Sequence, residues 1–424
     1  MRLHRSTLAT ALAVALVATL AACGSTAPGE DSPTNGTEGG ATDTTLTVWH
    51  YYSVDGQTEA LDRLGDMFAD SHPGVTVENV YVPIDQLTPR LVSAAGSGTG
   101  PDVVVYGAAS TYTLAEAGAI EPMDDWWASF ADKDQFPEGV IQKIGDEIYG
   151  VQGFVNLLGL WYNHDILTEI GVEPPTTIDE LEDAMAKAVA AGRQGITLTG
   201  ISGLESQWQG FPWFTSHGFW YGDAQAEPMA DTFEMLQRWT DNGWLSREAS
   251  VWDQTVPFQT FAAGNVAFAE NGNWQITSAA NDADFEYGVV PLPISSDGGV
   301  LLGGEAQNIG AFSPNKDLAR AYLEETFFSV EGELILLESF GSIPARADVV
   351  GDSAIGDNPI LRVFAEIVQS QGRPSPSPEV PSAHVQEVET LVGQFWSRAI
   401  AGSGSPQELA NDLLDQLRPL LQDS

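Results

Sequence analysis

The chain has 424 residues, and 59 aspartates and glutamates outnumber 17 lysines and arginines, giving a formal net charge of -42. This length predicts a large core and two domains, and the 43% hydrophobic content excludes wholesale disorder. The charge disfavours binding to a phosphate backbone or an anionic lipid surface. The single cysteine excludes an internal disulfide framework and a thiolate-rich metal site. Because the acids are spread along the chain, they indicate surface solubility or salt adaptation.

The N-terminal segment is predicted to be a targeting signal. Two arginines precede an apolar run over residues 8–20, which is too short to span a bilayer and typical of a signal peptide. Residues 20–24 (LAACG) resemble a lipobox, which implies removal of residues 1–22 and lipidation of Cys23. An ordinary cleavage site with an incidental cysteine is the alternative. Residues 23–43 are rich in Gly, Ser, Thr, Pro and acids, and predict a flexible tether.

Short apolar strands alternate with helical patterns from Thr44 onwards. Residues 46–49 and 75–77 are predicted strands, separated by apolar residues at helical spacing over 61–68. Residues 103–106 form a continuous apolar run, as expected for a buried parallel strand. This order predicts an α/β fold with doubly wound sheets.

Capping patterns predict two later helices. TIDE at residues 177–180 is a capping box for a helix that extends through Ala190. SPQE at residues 405–408 is a second box, followed by leucines at helical spacing. Residues 372–381 are rich in Pro and Ser and predict an extended crossing segment.

The sequence gives little support for a cofactor-binding motif, a metal site or a catalytic pair of residues. The glycines of residues 96–100 precede a predicted strand, whereas a dinucleotide-binding loop follows one. No two histidines are spaced i, i+4, so metal catalysis is not indicated. Adjacent acids occur at residues 124–125 and 324–325, but sequence neighbours point in different directions and do not form a glycosidase pair by themselves. Distant acids that converge would still permit a hydrolase.

Aromatic residues are the most informative pattern. Trp49, Tyr51 and Tyr52 end the first strand, and seven aromatics lie between residues 208 and 221 among glycines and polar residues. Trp274 follows an Asn-Gly-Asn sequence. Aromatic faces in loops stack on sugar rings while amides and carboxylates bind the hydroxyls. Core packing explains any single one of them equally well.

Several segments together resemble the extracellular solute-binding proteins of bacterial ABC importers, in particular the carbohydrate-binding group. The matching segments are residues 46–49 (LTVW), 68–75 (FADSHPGV), 101–104 (PDVV), 146–151 (DEIYGV), 160–167 (LWYNHDIL), 171–181 (GVEPPTTIDEL), 261–274 (ending in Trp274) and 341–346 (GSIPAR). Gln152, His164 and Ile178 depart from the residues usual in the family.

The resemblance implies two α/β lobes of the periplasmic-binding-protein type, joined by a hinge of crossing strands. One lobe is expected from residues 44–153 with 307–352, and the other from residues 154–306 with 353–424. The chain is expected to cross near residues 151–156, 303–307 and 352. Hinge closure would bury the ligand between the lobes. The implied protein is an extracytoplasmic, lipid-anchored monomer that delivers its ligand to a membrane permease, with no catalysis and no cofactor or metal.

The ligand contacts expected from such a fold are His50, Tyr52, Asp55, Tyr106, Ser110, Asn156, Trp208, Trp213, Trp274, Gly303, Gly304, Glu305 and Arg346. Trp213 and Trp274 are the preferred stacking platforms, and Glu305 is expected to accept two hydroxyl bonds. Arg346 either donates a fork of bonds to hydroxyls or forms an ion pair between lobes.

Two function classes follow from this reasoning. The first is a binding lipoprotein for a sugar or oligosaccharide, with a polyamine or other cationic solute as the runner-up ligand because of the acidity. The second is a surface glycan-active hydrolase. Salt-sensitive binding favours a cation, whereas a neutral sugar binds with little dependence on salt.

Overall fold

The computed structural model of the protein describes residues 44–350, residue 355 and residues 357–422. The predicted leader (residues 1–22), Cys23 and the tether (residues 23–43) lie outside the described residues. Thr42–Ser424 group into one compact unit. Within the part that the structure describes, no helix combines the length and apolarity needed to cross a membrane.

The strands alternate with helices along most of the chain, which confirms the α/β class. The strands are β1 (Thr44–His50), β2 (Val75–Tyr81), β3 (Val103–Gly107), β4 (Ile141–Ile144), β5 (Glu147–Gln152), β6 (Phe154–Val155), β7 (Leu158–Asn163), β8 (Gln194–Thr197), β9 (Val266–Gly272), β10 (Tyr287–Val290), β11 (Val300–Leu302), β12 (Glu305–Ile309), β13 (Ile343–Pro344) and β14 (Gly372–Pro374).

The α-helices of the described residues pack against the sheets and against one another. They are α1 (Asp55–Ser71), α2 (Ile84–Gly96), α3 (Thr111–Glu116), α4 (Asp124–Ser129), α5 (His164–Ile170), α6 (Ile178–Ala190), α7 (Leu204–Ser216), α8 (Ala226–Asp241), α9 (Thr255–Ala262), α10 (Ile276–Asp282), α11 (Lys316–Glu325), α12 (Val330–Phe340), α13 (Ala347–Val350), α14 (Pro359–Ser370), α15 (Val385–Ala401) and α16 (Pro406–Gln422).

A six-stranded sheet has the strand order β2-β1-β3-β12-β5-β4. β1 is parallel to β2 and β3, as the apolar runs predict, whereas β12 is antiparallel to β3 and β5. Leu46 and Val48 point into one buried cluster together with Leu61, Leu64 and Phe68 of α1. The predicted strands and the first helix are therefore confirmed.

A four-stranded sheet has the order β10-β7-β9-β8. Only β8 and β9 run parallel, while β7 is antiparallel to both β9 and β10. Helices α7 and α15 pack closely on one another beside this sheet, as do α8 and α16. The second sheet thus has fewer parallel strands than the doubly wound expectation.

Both capping predictions agree with the helix starts. The hydroxyl of Thr177 accepts a bond from the N–H of Glu180 at 3.2 Å, although the Glu180 carboxylate receives the N–H of Thr176. Ser405 and Glu408 exchange both bonds of the box, at 3.1 and 3.3 Å. The predicted extended segment is a strand only over Gly372–Pro374, which pairs with β11.

Two passages of the chain connect the two sheets. The first lies between β5 and β7, and the second between β10 and β12. Beside the first passage, β13 pairs with β6, with Ile343 opposite Val155. The predicted third crossing near residue 352 lies outside the described residues. The two passages are joined by an antiparallel bridge between Asn156 and Gly303. The division of residues between two lobes stays a prediction.

Candidate functional site

Glu305 is held by two tyrosines from the other end of the sequence. It begins β12, and its carboxylate accepts the hydroxyl of Tyr51 at 2.6 Å and that of Tyr52 at 2.9 Å. Burial raises the pKa of Glu305, although both phenol bonds oppose the shift. The structure brings the predicted residues Tyr52 and Glu305 together. Tyr51 was not among the predicted contacts, although its place directly after β1 was a usable signal.

His50 fixes the turn that carries these tyrosines. Its Nδ1 accepts the backbone N–H of Tyr52 at 3.1 Å. The side chain is buried, and burial lowers the pKa of His50 to about 4, with Asp62 opposing the shift. The imidazole is therefore neutral at pH 7. The burial of this side chain excludes a solvated turn at this position. The side chain of the next predicted residue, Asp55, is outside the described set.

An asparagine network ties the two passages to the segment that precedes β13. The backbones of Asn156 and Gly303 exchange two bonds, at 2.8 and 2.9 Å. The amide of Asn273 donates to the Asn156 side chain at 2.9 Å and to the carbonyl of Gly341 at 2.8 Å. Its own oxygen accepts the N–H of Leu157 at 2.8 Å. Asn273 was missed as a functional residue, although it stands directly before the predicted Trp274.

The glycines of the second passage permit close approaches within the protein. A Cβ at Gly303 would lie 2.0 Å from the Trp208 indole, so this ring rests on the backbone of the passage. Gly304 has a φ of +138°, and a Cβ there would lie 2.3 Å from the carbonyl of Phe154. The indole N–H of Trp208 is buried and has no hydrogen-bond partner among the described residues.

Glu205 joins this region from the four-stranded half of the molecule. It lies in the first turn of α7, one turn before Trp208, and accepts the N–H of Gln254 at 2.9 Å. Burial raises the pKa of Glu205 to about 7, and the charges of Asp253 and Asp85 add to the shift. Its charge also acts on Tyr51. The charge of Glu205 is therefore coupled to Tyr51 and Asp85 of the six-stranded half, which sequence spacing could not reveal.

Trp274 lies flat against Gly272 at the end of β9. A Cβ at Gly272 would be 2.0 Å from the indole ring, and only 7% of Trp274 is exposed. In the Asn-Gly-Asn sequence, Gly272 therefore leaves space for this ring, and Asn273 forms the hydrogen bonds to Asn156 and Gly341. Its stacking role stays a prediction.

The second preferred platform, Trp213, lies in the core. The aromatic segment expected to form loops is largely helix α7, in which Trp213 is fully buried. Its indole donates to Glu270 at 2.8 Å and packs edge-on against Trp239. No face is left for a ligand, so the prediction for Trp213 is wrong.

Tyr106 and Ser110 are also turned away from a ligand. Tyr106 is completely buried on the α2 side of the sheet and donates to the carbonyl of Tyr149 at 2.7 Å. Ser110 is buried and accepts the hydroxyl of Thr88 at 2.8 Å. Although both residues end or follow a parallel strand, as expected, their polar groups serve internal contacts.

Arg346 has no donor directed at a ligand. Its guanidinium bonds both oxygens of Asp348, at 3.0 and 2.8 Å, and Asp132 at 3.0 Å. It also donates to the carbonyl of Phe328 at 2.8 Å. The predicted fork to hydroxyls is therefore wrong. Both carboxylate partners, Asp132 and Asp348, lie in segments predicted to form one lobe, so these ion pairs do not support the alternative of a pair between lobes.

Comparison with known proteins places the chain among binding proteins. A family model described as bacterial extracellular solute-binding protein matches residues 63–363. The chain belongs to this family. It is 25% identical over 344 residues to the maltotriose-binding protein of Pyrococcus abyssi (strain GE5 / Orsay), which covers 76% of this chain and 71% of that relative. It is 24% identical over 422 residues to the galactooligosaccharide-binding protein of Bacillus subtilis (strain 168), with 94% and 93% covered.

A solved structure supports the same assignment. The GacH receptor of Streptomyces glaucescens GLA.O, determined unliganded and with acarbose, superposes with a TM-score of 0.78 at 25% identity. The match covers 89% of this chain and 98% of that chain. The family and the α/β architecture inferred from the sequence are confirmed.

Proposed function

We propose that this solute-binding protein captures a sugar or oligosaccharide between its two sheet-containing halves and delivers it to the permease of an ABC importer. The observation that carries the proposal is the group of Tyr51, Tyr52 and Glu305, which lies where β1 and the second passage meet. Relatives named for binding maltotriose and galactooligosaccharide support the ligand class.

The chemistry of this group suits neutral hydroxyls. Each Glu305 oxygen accepts one phenol and retains a lone pair for a ligand hydroxyl, while each phenol oxygen can accept a bond. The indoles of Trp208 and Trp274 supply flat apolar surface for a sugar ring. We propose these five residues, together with Glu205, as the ligand contacts.

Closure follows from the placement of these residues on two halves. Tyr51, Tyr52 and Asp85 move with the six-stranded sheet, whereas Glu205 and Trp208 move with the four-stranded sheet. A ligand that bonds both sets binds the closed form more tightly and shifts the population towards it. This role needs no chemical step, so we propose that the protein is not an enzyme and that lipidated Cys23 holds it at the outer face of the membrane.

A ligand panel tests the proposal. Calorimetry against maltotriose, galactooligosaccharides, acarbose and spermidine is expected to find a saccharide whose affinity hardly changes with salt. Binding of spermidine alone, weakened by salt, would instead assign a cationic solute. Release of new reducing ends from an oligosaccharide would assign a hydrolase.

A pair of matched variants locates the site. Tyr52→Phe removes one bond to Glu305 and is expected to weaken binding of the saccharide about tenfold. Tyr149→Phe is the control, because its hydroxyl also bonds a glutamate, Glu147, but at the surface. Equal affinities of the two variants would contradict the assigned contacts.

A further inference from the structure

Three potential metal ligands meet on the four-stranded half of the molecule. His164 and Asp165 begin α5, and Glu286 directly precedes β10. One ligand atom from each of the three side chains lies within 4.8 Å of the others, and all three residues are exposed. The Nδ1 of His164 is 3.4 Å from a carboxylate oxygen of Glu286.

The backbone beneath these side chains is fixed. The N–H of His164 donates to the carbonyl of Glu286 at 2.8 Å. The neighbouring residues Asn163 and Tyr287 are paired in the antiparallel ladder of β7 and β10. Asn163 also caps α5 by accepting the N–H of Ile166 at 3.0 Å. Both ligand-bearing segments are therefore held in register before any ion binds.

The donor chemistry matches a divalent transition metal. Zinc binds imidazole nitrogen and carboxylate oxygen at about 2.0–2.2 Å, so that two ligands of a tetrahedral site are about 3.4 Å apart. The imidazole–carboxylate separation already has this value, and the exposed Asp165 has room to adjust. We infer that His164, Asp165 and Glu286 bind one divalent transition-metal ion, with water completing its coordination.

Such an ion joins β7 and α5 to β10 and does not take part in sugar capture. Mg²⁺ and Ca²⁺ prefer sites built from oxygen alone, so the imidazole selects against them. The strong negative charge of the chain raises the local concentration of cations of any kind. Binding that is selective for zinc over magnesium therefore indicates a specific set of ligands, whereas unselective binding indicates general electrostatic attraction of cations.

Zinc titration by calorimetry tests this inference, with the full chain carrying Cys23→Ser because the only thiol would bind zinc by itself. One equivalent is expected to bind saturably and to survive an excess of Mg²⁺. His164→Gln and Asp165→Asn are each expected to weaken the affinity about tenfold or more. Because the three side chains are exposed, the melting temperatures of the metal-free variants should stay unchanged.

The chain offers a matched control. His72 lies 3.6 Å from Glu325, a similar imidazole–carboxylate pair that no third ligand joins within the described residues. His72→Gln should leave zinc binding intact. Undiminished binding in His164→Gln, equal loss in His72→Gln, or displacement of zinc by Mg²⁺ would overturn the inference. Saccharide affinity is expected to be unchanged in all these variants, so the outcome is independent of the proposed function.

Discussion

Glu305 and Glu270 are both buried carboxylates that accept hydrogen bonds from aromatic side chains, but they occupy different regions. Glu305 lies in a strand reached by a passage between the sheets, and both of its oxygens have a phenol partner. Glu270 lies inside the four-stranded half, where one oxygen accepts the indole of Trp213 and the other has no partner among the described residues. A buried glutamate bonded to aromatic side chains is therefore a candidate ligand site in one region and a core contact in the other.

The two regions differ in position rather than in burial: Glu305 lies next to a passage between the sheets, whereas Glu270 lies within one half. Groups between two halves can exchange partners when a ligand enters, whereas Trp213 and Trp239 are enclosed by a single half. Substitutions in the first region should change affinity, and substitutions in the second should change stability.

The largest expected effect is a loss of stability that distinguishes Trp213 from Trp208, the two tryptophans of α7. Trp213→Ala removes a fully buried indole and is expected to destabilise the fold by about 3–5 kcal/mol. Saccharide affinity of its folded fraction should stay close to that of the unmodified protein. Trp208→Ala should lower affinity by about 1–3 kcal/mol with a smaller loss of stability. Denaturant unfolding and calorimetry measure both quantities, and a reversed pattern would contradict the division.

Asn273→Ala should have the next largest effect. It removes three hydrogen bonds that join the passages and leaves buried partners unsatisfied, so we expect a loss of about 3 kcal/mol. Urea unfolding at a fixed pH measures this loss. Asn242→Ala is the control, because Asn242 is exposed and its amide makes one bond, to the carbonyl of Arg238. A loss at Asn273 no larger than in this control would show that the network does not hold the passages together.

Per pH unit, the smallest expected effect is a change in the pH dependence of stability. Burial raises the pKa of Glu270 well above its usual value, so above about pH 4.5 the folded state binds more protons than the unfolded state. Its contribution to the free energy of unfolding therefore falls as pH rises, by at most about 1.4 kcal/mol per pH unit. Glu270→Gln should flatten that slope more than Glu305→Gln does, because two phenol bonds oppose the pKa shift of Glu305. Unfolding curves between pH 5 and pH 8 measure how the free energy of unfolding changes with pH in both variants. Equal slopes in Glu270→Gln and Glu305→Gln would contradict this prediction.

The sequence predicts local structure well because the signals are local. The apolar run of β3 and the capping residues Thr177 and Ser405 act within a few residues of themselves. The fold implied by the family resemblance also places Tyr52 after the first strand and Glu305 at the second crossing. Tyr52 and Glu305, however, are more than 250 positions apart in the sequence. They meet only because β1 and β12 belong to the same sheet.

The wrong predictions concern side chains whose partners are distant in sequence. Trp213 faces the core because Glu270 and Trp239 lie on its side of α7, and Arg346 is occupied by Asp132 and Phe328. Neither set of partners is visible as a local pattern. His164 and Glu286 show the same limit, since only the pairing of β7 with β10 brings them together.

Ligand-driven closure can be measured as a distance across the two halves. Thr113 of α3 and Gln386 of α15 are hydrogen-bonded at 3.1 Å, which places these two helices in contact. Spin labels at the nearby exposed positions Glu116→Cys and Glu387→Cys, with Cys23→Ser, report their separation by pulsed electron resonance. Saturating saccharide is expected to give one short, narrow distance, whereas the free protein is expected to show an additional population at longer distance. An identical distribution with and without a bound saccharide would contradict capture by closure.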